Sequence, residues 1–207
     1  MLTIGVLISG RGSNLQAIID AAARGEITGR IAVVISNKAD AYGLERARKA
    51  GIEAMCIPSK GKSRSEFERE LAEALESRGV ELVCLAGFMR VLTPYFIRRF
   101  KRQIINIHPA LLPSFPGENA QGQAFDYGVK VTGCTVHFVD EGVDTGQVIL
   151  QIPVELREDD TAETLSARIL EQEHKAFPRA IQLFAEGRLQ VVGRKVRVLP
   201  GKKQQNG

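Results

Sequence analysis

Five short apolar runs punctuate the first half of the chain: TIGVLI at 3–8, IAVVI at 31–35, EAMCI at 53–57, LVCLA at 82–86 and QIINI at 103–107. Their hydrophobicity is continuous rather than alternating, which predicts strands covered on both faces and hence a parallel sheet. Helical stretches lie between them. Leu15, Ile18, Ile19 and Ala22 form an i, i+3, i+4, i+7 stripe, and 63–79 reads as a second helix. Strand–helix–strand units with right-handed crossovers leave an open α/β sheet as the economical solution.

Beyond residue 130 the rhythm changes. VTGCTVHFV at 131–139 alternates, and QVILQIPV at 147–154 follows a short acidic turn, which predicts an antiparallel hairpin. A long amphipathic helix should start near Ala162, with Leu165, Ile169, Ala176 and Phe177 on one side and a kink or restart at Pro178. Two short strands near 188–199 close the pattern. The fold class is therefore α/β: an open, mostly parallel, Rossmann-like sheet with helices on both faces and a C-terminal antiparallel extension.

The 207 residues suit one domain with a sizeable core. A formal net charge of +4 favours small anions, and the scattered Lys and Arg residues make no tract for nucleic acid. Cys56, Cys84 and Cys134 are far apart, odd in number and lack a CxxC pair, which suits free thiols in a reducing cytoplasm. The opening MLTIGVLISG has no basic lead-in of a signal peptide, and no apolar stretch approaches the roughly 20 residues of a membrane helix.

The first strand runs into ISGRGSNLQ. Gly10 and Gly12 permit a sharp turn that points the backbone N–H groups of Gly12, Ser13 and Asn14 outward at a helix start, an arrangement suited to anions. Ser13 with Gln16 three residues on carries a capping-box signal. A dinucleotide loop would want glycine where Leu15 stands and an acidic residue where Ser36-Asn37 stands, so a single phosphate monoester fits better.

The last parallel strand ends in IINIHPALLPSFPG at 104–117. Asn106 and His108 share a strand face with Cα atoms roughly 6–7 Å apart. They sit at the carboxyl edge, where open α/β sheets bind ligands. Pro109, Pro113 and Pro116 stiffen the segment beyond them. An amide and a protonated imidazole are both donors and together suit an oxygen that becomes negative in acyl transfer. Asp144 in DEGVDTG, a loop with glycines at 142 and 146, is the carboxylate that would keep His108 charged. No G-x-S-x-G marks an enzyme nucleophile, so the substrate should supply its own. His108, His137 and His174 have no metal-ligand spacing.

Each element has a plainer reading. The glycine turn suits tight packing, Asn-x-His a bonded strand end, and the acidic loop a solvated turn. His137 and His174 read as structural, and Met89 and Leu92 as core. The combination points to a site.

NIHPALLPSFPG, together with GVKVTGCTVHFVDEGVDTG after it, closely resembles the formyltransferase family that uses formyltetrahydrofolate. ISGRGSNLQAI and EQEHKAFP make it similar to the branch that formylates glycinamide ribonucleotide in purine synthesis, and the likeness covers nearly all of 1–190. The resemblance implies catalytic roles for Asn106, His108 and Asp144, and substrate contacts at Gly12, Ser13, Asn14 and Glu173. It implies a folate site at Arg64, Met89, Arg90, Val91, Leu92 and Asn106, and at Asp140, Glu141, Gly142, Val143 and Asp144. It further implies 10-formyltetrahydrofolate as co-substrate, no metal, small-molecule partners without nucleic acid or membrane, a cytoplasmic monomer or homodimer, and one formyltransferase domain over 1–199. Within it 1–107 would bind phosphate and 108–199 would carry catalysis and folate, with 200–207 a flexible tail. Asn119, Gln121 and Leu170 stand where some family members carry other polar contacts.

Two relatives in chemistry are less consistent with this chain. Formylation of methionyl-tRNA would require an added basic domain, and a formyltetrahydrofolate hydrolase an extra N-terminal one. A non-catalytic sugar-phosphate binding module would leave the Asn106, His108 and Asp144 set unexplained.

Overall fold

In the computed structural model, which describes residues 1–201, every predicted strand is present; the predicted tail beyond Gly201 lies outside the described residues. β1 (Leu2–Ile8) lies at the centre because it is covered on both faces: Ile4, Val6 and Ile8 enter one core cluster and Leu7 the other. That is the physical reason for its unbroken apolar run. β2 (Gly29–Ser36) and β4 (Leu82–Leu85) pair with it in parallel, one on each side, and β3 (Ala54–Cys56) extends the β2 side. β5 (Ile104–His108) pairs in parallel with β4.

β6 (Val131–Phe138) and β7 (Val148–Glu155) add the predicted antiparallel edge, completing a seven-stranded sheet of order β3-β2-β1-β4-β5-β6-β7. The chain leaves β1 in one direction through β2 and β3 and returns to its other side at β4. The carboxyl ends of β1 and β4 therefore flank a switch point, where open sheets form a crevice.

One face carries α1 (Ser13–Ala23), α2 (Tyr42–Lys49) and α6 (Ala162–Ala185), whose Leu15, Leu44 and Ile169 share a core cluster. The other carries α3 (Arg64–Glu76) and α4 (Pro94–Arg99), joined through Leu71, Phe96 and Ile97. The α3 start is a complete capping box between Ser63 and Glu66. α5 (Ala120–Tyr127) lies just after the proline segment, and β8 (Leu189–Val192) with β9 (Lys195–Val198) forms a separate hairpin. Among the described residues no helix is long and apolar enough to cross a membrane.

Two local expectations are corrected. The capping box at Ser13 does not form: the cap is Gly12 at φ 70°, and the Gln16 side chain turns to Asp20. A tight approach explains it, since a Cβ on Gly12 would lie 2.7 Å from the Gly43 Cα. The close packing of two backbones decides this helix start, and the first-turn amides stay uncapped by a side chain. Pro178 does not restart α6, which runs unbroken from Ala162 to Ala185. Buried Phe177, Ala180 and Ile181 hold both sides of the proline in the core, so packing overrides the missing N–H.

The turn between β6 and β7 depends on Gly146. A Cβ there would sit 1.6 Å from the Phe138 carbonyl oxygen, whereas one on Gly10 would meet nothing within 4 Å. We expect Gly146→Ala to cost more than about 2 kcal/mol in chemical denaturation, with Gly10→Ala close to wild type.

Candidate active site

Pairing of β5 with β6 sets the site. Asn106 lies opposite His137 and His108 opposite Thr135. On β6, Cys134, Val136 and Phe138 face the core, which sends the alternate residues Thr135 and His137 to the side where Asn106 and His108 project. The Asn106 Nδ2 is 3.2 Å from His137 Nε2. His137 Nδ1 lies 2.8 Å from the Phe138 carbonyl, so the ring donates there and can accept from Asn106. The sequence marks His137 as structural; it stands in the site, and its register opposite Asn106 becomes visible only when the strands are paired.

The three side chains singled out from sequence meet. Asp144 Oδ2 is 3.4 Å from His108 Nδ1, and Asp144 Oδ1 is 3.6 Å from His137 Nε2. The Gly117 amide donates to Asp144 at 2.8 Å, fixing the carboxylate. Asp144 itself adopts a left-handed backbone at φ 54°, a strained conformation of the sort that gathers at functional sites. The segment after His108 is held by more than prolines. Thr135 Oγ1 accepts from the Leu112 amide at 3.0 Å and donates to the Ala110 carbonyl at 2.7 Å, and Gln151 donates to the Leu112 carbonyl. The Leu112–Pro113 peptide bond is cis.

Burial pushes His108 below its ordinary value, while Asp144 and the Phe115 carbonyl pull the other way. The resting ring thus holds its proton less readily than a free histidine, although both its nitrogens face acceptors, Phe115 O at 2.8 Å and Asp144 at 3.4 Å. Burial also opposes ionisation of Asp144, but the adjacent His137 ring, the Gly117 amide bond and the nearby His108 hold its carboxyl below the usual value. Among the thiols, burial raises Cys84 and pushes Cys134 up to about 12, so neither is set up as a nucleophile.

The glycine loop and α6 converge as expected. Asn14 Nδ2 donates to Glu173 Oε2 at 2.6 Å, both side chains buried, and among the described residues the Asn14 Oδ1 has no hydrogen-bond partner. Burial raises the Glu173 carboxyl above its ordinary value, with Asn14 drawing it back. Arg46, unmarked in sequence, braces the loop from α2 by donating Nε to the Arg11 carbonyl at 2.8 Å.

Between the ends of β4, β5 and β6 opens a cleft of ≈ 620 Å³ lined by Met89, Arg90, Val91 and Leu92, by Asn106, His108 and His137, and by Asp140, Gly142, Val143 and Asp144. Asn119 and Gln121 lie on its wall. Met89, expected in the core, is 63% exposed; Leu92 is buried as expected. Two implied folate contacts are not brought to the cleft. Arg64 is exposed in the first turn of α3, and Glu141 is paired with Arg98 at 2.7 Å. Among the described residues no group of three or more His, Cys, Asp or Glu side chains is placed to hold a metal.

The α/β sheet of this order matches a class of group-transfer enzymes: the family model described as formyl transferase covers residues 2–181. The chain belongs to the formyl transferase family. It is 46% identical over 192 residues to phosphoribosylglycinamide formyltransferase of Haemophilus influenzae, covering 92% of this chain and 91% of that one. It is 52% identical over 185 residues to the trifunctional purine biosynthetic protein adenosine-3 of Bos taurus, covering 89% of this chain and 18% of that protein. The chain therefore spans less than a fifth of that relative's length. The crystal structure of glycinamide ribonucleotide transformylase 1 from Symbiobacterium toebii matches with a TM-score of 0.95 at 57% identity, over 97% of this chain and 95% of that one.

The electrostatics make a pH prediction. His108 binds its proton more weakly folded than unfolded, so between those two values the unfolded chain holds more protons and stability rises with pH. That contribution is complete above the ordinary histidine value, about 6.5, and is lost as pH falls through the folded one. The Asp144 contribution survives to lower pH and is lost only as pH falls through its own depressed value. In an NMR titration we expect His108 to have a midpoint below that of free histidine and Asp144→Asn to move it lower still; an upward move would contradict the assigned contact.

Proposed function

We propose that the chain transfers a formyl group from 10-formyltetrahydrofolate to the amine of glycinamide ribonucleotide. The observation that carries this reading is the meeting of an amide, an imidazole and a carboxylate in one cleft at the end of β5, in a sheet whose glycine loop lies at the end of β1. Similarity to phosphoribosylglycinamide formyltransferase of Haemophilus influenzae and to glycinamide ribonucleotide transformylase 1 of Symbiobacterium toebii supports it. Residues 1–199 act as one formyltransferase unit on small molecules in the cytoplasm.

The uncapped amides at Gly12, Ser13 and Asn14 take the phosphate. The buried, unpartnered Oδ1 of Asn14 is suited to a hydroxyl donor of the sugar, and Glu173 orients the Asn14 amide. Met89 and Val91, exposed on the cleft wall, cover the folate ring, and backbone groups of 89–92 and 140–144 pair with its edge. Arg90 is the nearer cation for an anionic tail, since it lines the cleft and Arg64 does not.

In the reaction the substrate amine forms a bond to the formyl carbon and the carbonyl oxygen becomes an oxyanion. His137 holds one Asn106 N–H, leaving the other for that oxygen. The His108 Nε2–H exchanges the Phe115 carbonyl for the oxyanion while Nδ1 stays toward Asp144. Growing negative charge raises the ring's proton affinity, so the imidazolium is favoured in the transition state more than at rest. The intermediate collapses as the bond from the formyl carbon to the folate nitrogen breaks. One proton leaves the amine and one reaches that nitrogen, with Asp144 as the relay.

Losing one oxyanion donor typically costs about 10²–10³ in rate. His108→Ala and Asp144→Asn should each lower kcat on that scale while both ligands still bind by calorimetry. Wild-type protein should consume 10-formyltetrahydrofolate only when glycinamide ribonucleotide is present. Equal consumption without the amine would make it a hydrolase, and no consumption a binding module.

A further inference from the structure

The cleft loop after β4 is held at both ends by buried polar side chains that do not line the cleft. At its start, the Met89 amide donates to the Ser9 Oγ at 2.8 Å. Ser9, at the end of β1 and 5% exposed, donates its own hydroxyl to Asn37 Oδ1 at 2.6 Å. Asn37 is itself buried and donates to Ser59 at 3.3 Å, so the support reaches across three strand ends. At the far end, the Thr93 amide donates to Glu68 Oε1 at 2.7 Å, and the Thr93 hydroxyl donates to the other carboxylate oxygen. Glu68 is on α3, 2% exposed, and has no other role in the site.

Between these points the side chains alternate sharply. Phe88 and Leu92 anchor in the core of the α3–α4 face, while Met89 and Val91 are 63% and 59% exposed toward the cleft. Arg90 is drawn back over the Phe67 ring at 5.9 Å. A connection that shows large apolar side chains to solvent would ordinarily collapse onto them or move. Here the ends are fixed by hydrogen bonds whose loss would strand buried groups, and a buried carboxylate that makes no ion pair among the described residues needs those two donors.

We propose that Ser9 and Glu68 are positioning residues that hold the 89–92 strip in its ligand-receiving shape before the folate arrives. The strip thus meets its ligand already ordered, and the ordering entropy is not charged against binding. This rests on the folate assignment made above. It adds that affinity for the flat ligand is set partly by two side chains that never touch it.

The test separates folate binding from everything else. In Ser9→Ala and Glu68→Ala, KM for 10-formyltetrahydrofolate should rise about tenfold, the scale of one buried hydrogen bond left unmade. kcat at saturation and KM for glycinamide ribonucleotide should stay within about twofold. Amide exchange at Met89 and Thr93 should quicken in the free protein. Glu68→Gln keeps an acceptor for the Thr93 amide and offers an N–H that the Thr93 hydroxyl oxygen can accept, the second bond reversed, and should restore both readouts. If Glu68→Ala does not fold, Glu68→Asp withdraws the carboxylate by one methylene and should show the same split. An unchanged folate KM, or an equal rise for both substrates, would overturn the proposal. Wild-type protein that fails to bind folate in calorimetry would instead strike the functional reading, while faster exchange in the variants would still report the pins.

Discussion

The antiparallel pairing of β6 against β5 is the constraint on which the site depends. It places His137 opposite Asn106 and Thr135 opposite His108, so two short strands supply an amide, an imidazole, its neighbour and the hydroxyl that stitches the proline segment. Because strand side chains alternate, a slip of one residue would turn Cys134, Val136 and Phe138 out of the core and the polar set into it. The hydrophobic demand of that core thereby fixes the geometry of the polar cleft. Function at this edge is secured by the same packing that secures the fold.

The other parts of the site connect to that pairing. The β6–β7 loop, whose close approach at Gly146 leaves room for the Phe138 carbonyl, brings Asp144 back to the strand ends beside His108. The Gly117 amide, delivered by the proline segment, captures it. Burial then works against charge on His108 and Asp144 favours it. In the proposed reaction an imidazole so balanced would gain a proton as negative charge grows nearby, which is more useful than one permanently charged. The glycine loop and the 89–92 strip lie at the ends of β1 and β4, the pair that flanks the reversal of strand order, and Ser9 joins them.

Much of this was legible in the chain. Continuous apolar runs named the parallel strands because both faces of β1 are covered by apolar side chains, and alternation named β6 because its apolar residues Cys134, Val136 and Phe138 take one face and the polar Thr135 and His137 the other. Asn106 and His108 were readable as a pair from strand period alone. Their partner Asp144 needed only two glycines and an acid to be suspected. His137 was not readable, because nothing within its own strand says which residue lies across from it. Arg46, Ser9 and Glu68 escaped for the same reason: each acts on a backbone group far away in sequence. Ser13 misled because a local capping signal competes with the contact of Gly12 against Gly43, and the contact wins.

By itself, then, the sequence determined which segments become strands and helices, which faces they bury, and which residue types stand at the strand ends. Those are matters of period, conformational freedom and hydrophobic area, all local in the chain. Only the tertiary structure decided which polar groups meet, which of them are buried, and which loops are held open. Such outcomes depend on register and on distances between residues remote in sequence, where a hydrogen bond is made or lost within an ångström.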